Sequence, residues 1–174
     1  MRSVCPTIRL ADCPFSMTRV GLGYDSHRFA AGRPLVLGGI TIPHAQGLAG
    51  HSDADAVAHA LTDAILGAAS AGNIGQLFPD TDPQWKDADS MELLRTAHEL
   101  VRGRGYMLAQ ADLTIITEQP RLGEHLAPMA AALARRLELR PGCISVKAKT
   151  NEGMGFIGRG EGLAVIAVAA LEAR

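Results

Sequence analysis

"HSDADAVAHALTDAILGAASAG", residues 51–72, is the stretch on which the reading of this chain turns. Val57, Ala60, Leu61, Ala64, Ile65 and Ala68 recur at helical spacing and predict an amphipathic helix. Ser52 stands as its N-cap, Asp55 three residues on completes a capping box, and Gly72 marks its end. Asp55, His59 and Asp63 follow at i, i+4 steps and share one face. A helical histidine beside an apolar stripe is either a satisfied core residue or a ligand, and the spacing leaves both open.

Upstream, "RVGLGYDSH" (19–27) predicts a short first strand, and "PLVLGGITIP" (34–43) a small hairpin broken at Gly38 and Gly39. Downstream, "NIGQLFPDTDPQWKDADS" (73–90) reads as a long polar connection, a kind of segment that is often functional. A second helix, capped by Asp89 or Ser90, runs through "MELLRTAHELVRGRG" (91–105). "YMLAQADLTIITEQP" (106–120) predicts a strand stopped by Pro120. "GEHLAPMAAALARRLEL" (123–139) predicts a third helix, which Pro128 suits only where the helix starts or bends. "CISVKAKT" (143–150) and "GEGLAVIAVAALEA" (160–173) close the chain as strands. The expected architecture is one α+β domain, a two-layer α/β sandwich with a mixed four-stranded sheet packed by helices, plus the hairpin.

The bulk numbers fit that picture. The chain has 174 residues, 47% hydrophobic and 20% charged, which suits one globular domain and argues against disorder. A net charge of −1 gives no basic field for nucleic acid, so any anionic ligand must be held by local groups. "GLAVIAVAALEA" (162–173), the longest apolar run, is too short to cross a membrane. Three cysteines (Cys5, Cys13, Cys143) without metal-ligand spacing suit a reduced, cytoplasmic setting. Residues 1–16 show no period and no signal-peptide core, and the domain is expected to begin at Met17 and run to residue 174.

Chemistry gathers in three places. In "GLGYDSHRFA" (21–30), Asp25 and His27 flank Ser26 and would share one face of a strand. With His59 they make two imidazoles and a carboxylate, a set that suits Zn²⁺ with a fourth position open for a substrate oxygen. His51 and Ser52 stand at the helix start, where free backbone N–H groups and the helix dipole favour an anion. "VKAKTNEGMGFIGRGEG" (146–162) sets Lys147, Lys149, Thr150, Asn151, Glu152 and Arg159 among five glycines, without P-loop spacing. Glu152 offers a hard oxygen of the kind Mg²⁺ uses when it bridges phosphates. "TEQPRLGEH" (117–125) is either a solvated turn or a loop whose Arg121 meets a phosphate or a carboxylate.

Five stretches, "RVGLGYDSHRF", "LGGITIP", "GLAGHSDADAVAHALTDAILGAA", "GNIGQLFPDTDP" and "VKAKTNEGMGFIGRGEG", with the spacings between them, resemble the 2-C-methyl-D-erythritol 2,4-cyclodiphosphate synthase family, and the likeness runs from about Met17 to the end. That resemblance implies a phosphorus–oxygen lyase of the non-mevalonate isoprenoid route. It would convert 4-diphosphocytidyl-2-C-methyl-D-erythritol 2-phosphate into a cyclic diphosphate and CMP. It also implies a homotrimer with active sites between subunits. Asp25, His27 and His59 align with zinc ligands, and His51 and Thr150 with groups that stabilise the transition state. Asp25, Ser26, His27, His51 and Ser52 fall in substrate-binding segments, as do Asn73, Ile74 and Gly75. Glu152 aligns with the residue that holds Mg²⁺ at the diphosphate. Phe78, Pro79, Asp80, Thr81 and Asp82 match a flexible stretch over the methylerythritol part. Thr117, Glu118, Gln119, Pro120, Arg121, Leu122 and Gly123, with Lys149, Thr150, Asn151 and Glu152, match the cytidine and phosphate pocket.

Phe156 and Arg159 match positions lining the substrate site or the trimer's central cavity, where with Glu161 they would hold an isoprenoid diphosphate. The sequence departs from the family at Asn73, where aspartate is usual, at Arg121, where lysine is common, and at Lys149, where a small hydroxyl residue often sits. Two other readings compete: a zinc phosphohydrolase with Asp63 or Asp55 as its base, and a metal-stabilised trimer that binds isoprenoid diphosphates without turnover.

Overall fold

The period-two pattern of "RVGLGYDSHRFAA" folds into one long strand, β1 (Arg19–Ala31), whose odd-numbered residues face inward. The computed structural model describes residues 18–174, so the extension expected over residues 1–16, with Cys5 and Cys13, lies outside it. After β1 come β2 (Leu35–Leu37), β3 (Ile40–Ile42), β4 (Gln46–Leu48), α1 (Ala56–Ala68), α2 (Ile74–Leu77) and α3 (Ser90–Gly103). Then follow β5 (Tyr106–Ile116), α4 (Leu126–Arg136), β6 (Ile144–Lys149), α5 (Gly155–Gly158) and β7 (Gly162–Ala173). None of the described helices is long and apolar enough to cross a membrane.

The sheet has the order β4-β1-β7-β5-β6 and five strands rather than the expected four. The added strand, β4, pairs antiparallel with the far end of β1 through Phe29↔Leu48 to Ala31↔Gln46. Three residues with a central glycine carry too little alternation to register as a strand in sequence. β7 sits in the middle, antiparallel to both β1 and β5, while β5 and β6 run parallel and are joined through α4. β2 and β3 form the expected hairpin as a separate two-stranded ladder.

α1 lies across β1 and β7 and is covered in turn by α3, so it is apolar nearly all round. The exceptions along its length are His59, Asp63 and Gly67, an i, i+4, i+8 stripe left open. Close approach of α1 to β1 depends on Gly21 and Gly23. A Cβ on Gly23 would lie 1.9 Å from the Ala60 carbonyl oxygen, and one on Gly21 2.1 Å from that of Ala64. Arg19 then ties the C-terminal end of α1 to the sheet, donating from Nε to the Ala68 carbonyl at 2.6 Å.

The cap of α1 is Asp55, not Ser52. The Asp55 Oδ1 atom accepts from the N–H groups of Val57 and Ala58, and both carboxylate oxygens accept from the hairpin glycines Gly38 and Gly39 at 2.7–2.8 Å. The helix ends at Ala68, four residues before Gly72. Asp89 caps α3. Pro128 sits in the first turn of α4, where its missing N–H has no intrahelical partner to lose. The long connection holds two short turns, α2 and a 3₁₀ turn at Pro83–Trp85 capped by Asp82.

Candidate metal centre and active site

β1 puts Asp25 and His27 on its inner face, and the glycines below them bring the α1 backbone near enough for His59 to join them. Asp25 Oδ2 lies 2.9 Å from His27 Nε2 and 3.1 Å from His59 Nδ1, and the two ring nitrogens are 3.2 Å apart. His27 donates from Nδ1 to the Ala49 carbonyl at 2.6 Å, which leaves Nε2 as its inward-facing atom. Burial alone would raise the Asp25 carboxyl, but the adjoining His27 and His59 rings outweigh it and hold the group well below the usual carboxylate range. Burial likewise pulls His27 down, and the Asp25 carboxylate outweighs that and raises it.

The three donor atoms all fall within 4.8 Å of one another. A proton on His27 satisfies part of this set, whereas a divalent metal ion satisfies the carboxylate oxygen and both imidazoles together. The residues present therefore fit a divalent metal site with three protein ligands. Behind it, His59 turns its Nε2 to the hydroxyls of Ser90, at 2.8 Å, and Ser52, at 3.2 Å.

The cluster opens into a cavity of about 350 Å³ lined by His27, His51, Ser52, His59, Ile74 and Gly75, together with Phe78, Asp80 and Trp85. Arg33 holds the loop carrying His51 by donating to the carbonyls of Gly50 and Ser52. Asn73 commits its side-chain oxygen to the Gln76 N–H as the cap of α2, and Asp63 accepts the Ile74 N–H at 2.7 Å. Phe78 is buried edge-on against Trp85, while Pro79 and Thr81 are exposed. Trp85 and Arg33 were missed in sequence, where nothing in their local pattern marks them. Asp55, one candidate base for hydrolysis, is fully buried and engaged by four backbone amides, so it cannot serve the metal cluster.

A second cavity, of about 340 Å³, shares no lining residue with the first. Thr117, Glu118, Pro120, Arg121, Lys149 and Thr150 surround it, with Leu122 and Gly123. Thr117 donates to the Gln119 carbonyl at 2.6 Å, and the Gln119–Pro120 bond is cis. Glu118 accepts from the N–H groups of Asn151 and Gly153 and so clamps the glycine-rich segment to the end of β5. Thr150 donates to Glu152 at 2.8 Å. Ser26, His27, Arg28, Phe156 and Glu161 line a third, smaller hollow, and Arg159 pairs with Glu161. The sequence-predicted residues thus form two main groups, a metal-side group and a second group around Thr117–Gly123 and Lys149–Glu152.

The YgbB family model matches residues 18–172. The curated 2-C-methyl-D-erythritol 2,4-cyclodiphosphate synthase of Synechococcus elongatus is 53% identical over 156 residues, which are 90% of this chain and 98% of that protein. A solved structure of 2C-methyl-D-erythritol-2,4-cyclodiphosphate synthase in a CDP-bound form is 44% identical with a TM-score of 0.81, over 88% of this chain and 99% of that one. The bifunctional IspDF of Campylobacter jejuni is 45% identical with a TM-score of 0.89; the match takes in 92% of this chain but 44% of that longer protein. With a family model matched across nearly all the described residues and a shared fold at about half identity, the chain belongs to the YgbB family.

Proposed function

We propose that this chain converts 4-diphosphocytidyl-2-C-methyl-D-erythritol 2-phosphate to 2-C-methyl-D-erythritol 2,4-cyclodiphosphate and CMP. An oxygen of the 2-phosphate attacks the β-phosphorus, the bond from that phosphorus to the bridging oxygen breaks, and CMP leaves with the oxygen. No water is consumed. The observation that carries this reading is the Asp25–His27–His59 cluster facing its own cavity, in a chain whose curated relatives at about 50% identity bear the synthase name.

The barrier is the approach of one anionic phosphate to another, and no general base is needed because the attacking phosphate is already ionised at neutral pH. Zn²⁺ held by Asp25, His27 and His59 would supply Lewis-acid polarisation of a phosphate oxygen, and Mg²⁺ at Glu152 would offset diphosphate charge. His51, beside the metal cluster, donates to phosphate as charge shifts, and Thr150 and Lys149 do so from the second cavity. Ile74, Gly75 and Asp80 enclose the methylerythritol end, while Thr117–Gly123 receive the cytidine. Holding nucleophile and electrophile in line supplies much of the remaining rate.

Three copies share the work. One substrate must reach both cavities, which have no lining residue in common on one chain. An exposed apolar sheet face at Val20, Leu22, Tyr24, Ile166 and Val168 supports association into a homotrimer with sites between copies.

Phosphorus NMR with the substrate and Mg²⁺ tests the reaction. Stoichiometric CMP and a cyclic diphosphate are expected, lost in the His59→Ala chain and in metal-stripped protein, and regained with zinc in the unaltered chain alone. Linear monophosphate products would favour a hydrolase and overturn the synthase reading.

A further inference from the structure

His59 reaches the metal cluster with Nδ1, and something must keep the proton on the other nitrogen, or the cluster loses a ligand. The groups behind the ring favour Nε2 as the place for that proton. Asp53 accepts through Oδ1 from the Ser90 hydroxyl, in a close contact, and through Oδ2 from the Ser90 N–H at 3.2 Å. A carboxylate only accepts, so Ser90 gives its one hydroxyl hydrogen to Asp53. The Ser90 oxygen is then an acceptor for His59 Nε2–H at 2.8 Å and for the Ser52 hydroxyl at 3.1 Å. Ser52 in turn accepts the Ala54 N–H at 3.1 Å. The Ser52 oxygen also lies 3.2 Å from His59 Nε2, so two hydroxyl oxygens stand ready for the Nε2 hydrogen, and His59 Nδ1 is the atom left facing Asp25 and His27.

Ser90 is not the cap of its helix. Asp89 already caps α3, and Ser90 is fully buried one residue later. Asp53 is itself held by its own N–H on the Ala88 carbonyl, while the Asp87 N–H donates to the His51 carbonyl. The relay is therefore fixed at its far end to the segment that leads into α3.

We propose that Ser90 and Asp53 form a positioning relay that locks His59 in its Nε2–H tautomer and so presents Nδ1 to the metal. Neither residue touches substrate or the ion; both act through His59. The inference rests on the metal reading of Asp25, His27 and His59, and the experiment separates the two.

Zinc affinity is measured by chelator competition in the unaltered chain and in Ser90→Ala, Asp53→Ala, the double variant and His59→Ala. Loss of the relay should weaken zinc about 10- to 100-fold in each single variant. The double variant should be no worse than Ser90→Ala alone, because the two residues act in series. Ser90→Thr, which keeps the hydroxyl, should recover most of the affinity. Single variants within twofold of the unaltered chain, or losses that simply add, would overturn the relay while leaving the metal site standing. Equal affinity in the His59→Ala chain would sink the metal reading and the relay together. Nitrogen NMR of the His59 ring in the unaltered, metal-free protein is independent of how the variants fold. A proton on Nε2 is expected there, and a proton on Nδ1 would overturn the proposal.

Discussion

Asp63 shows how much one carboxylate can settle through a single backbone hydrogen bond. It stands one turn after His59 on the open stripe of α1, and its Oδ1 accepts the Ile74 N–H at 2.7 Å. Burial raises its pKa and the nearby Asp25 charge adds to that, while the Ile74 hydrogen bond opposes both. The bond fastens the Asn73–Gly75 segment to the same helix that carries His59, so the proposed substrate contacts and the proposed metal ligand share one reference frame. Replacing Asp63 with alanine releases that segment, and a hydrogen bond to a charged group is worth about 1.5–3 kcal/mol. Steady-state kinetics should show KM raised about tenfold with kcat changed far less. Asp63→Asn keeps an acceptor oxygen and should recover most of the loss. A fall in kcat with KM unmoved would instead make Asp63 a participant in the chemistry.

At the scale of elements, the contact between β1 and α1 decides whether the site exists at all. Gly23→Ala drives a methyl group into the Ala60 carbonyl, and overpacking of this kind costs about 3 kcal/mol when backbone must move. The same substitution at Gly67, exposed in α1 with nothing nearer than 3.9 Å, should stabilise by about 0.5–1 kcal/mol through helix propensity. Urea unfolding of the two variants checks both signs, and zinc affinity should fall only in the first. α3 carries a different liability in His98, which is buried with no partner for Nε2 among the described residues. Burial, helped by the Arg102 charge, lowers its pKa from the ordinary 6.5. A depressed histidine stabilises fully above its unfolded pKa and loses that contribution as pH falls below it. His98→Leu should therefore gain about 1 kcal/mol at neutral pH and flatten the loss of stability between about pH 7 and pH 5.

Elements were legible in sequence where a period was long and unbroken. α1, β5 and β7 lie within the stretches that predicted them, and α3 starts one residue before its own, because their apolar residues recur over eleven or more positions. β4 was not, and the start of α1 was displaced from Asp55 to Ser52 because both positions suit a cap. The choice depends on Gly38 and Gly39, whose amides take up Asp55 from another element. The metal trio was visible as a chemical possibility, since Asp25 and His27 share a strand face. Ser90 and Asp53 were not visible as its support. Ser90 read as one of two candidate caps, and the reason for its burial lies across the fold.

For the whole molecule, the open question is how two cavities on one chain serve one substrate. The uncovered face of β1 and β7 carries Val20, Leu22, Tyr24, Ile166 and Val168, each more than a third exposed. Pairing across the ladder sets Leu22 beside Val168 and Tyr24 beside Ile166, so the patch is continuous rather than scattered. A charge there, as in Leu22→Glu, should yield monomers by light scattering and abolish turnover while the metal cluster still binds zinc. If the site lies between copies, the metal group of one chain must meet the Lys149 group of the next around a closed ring. His59→Ala damages one half and Lys149→Glu the other, and each alone should be inactive. Coexpressed in equal amounts, the two chains assemble at random. Each interface then has even odds of drawing the needed half intact from either neighbour, which restores about a quarter of the sites. Recovery near that fraction requires halves contributed by different chains. Coexpression that recovers nothing, from trimers shown to contain both chains, would place both halves within a single copy and leave the apolar face with a purely structural role.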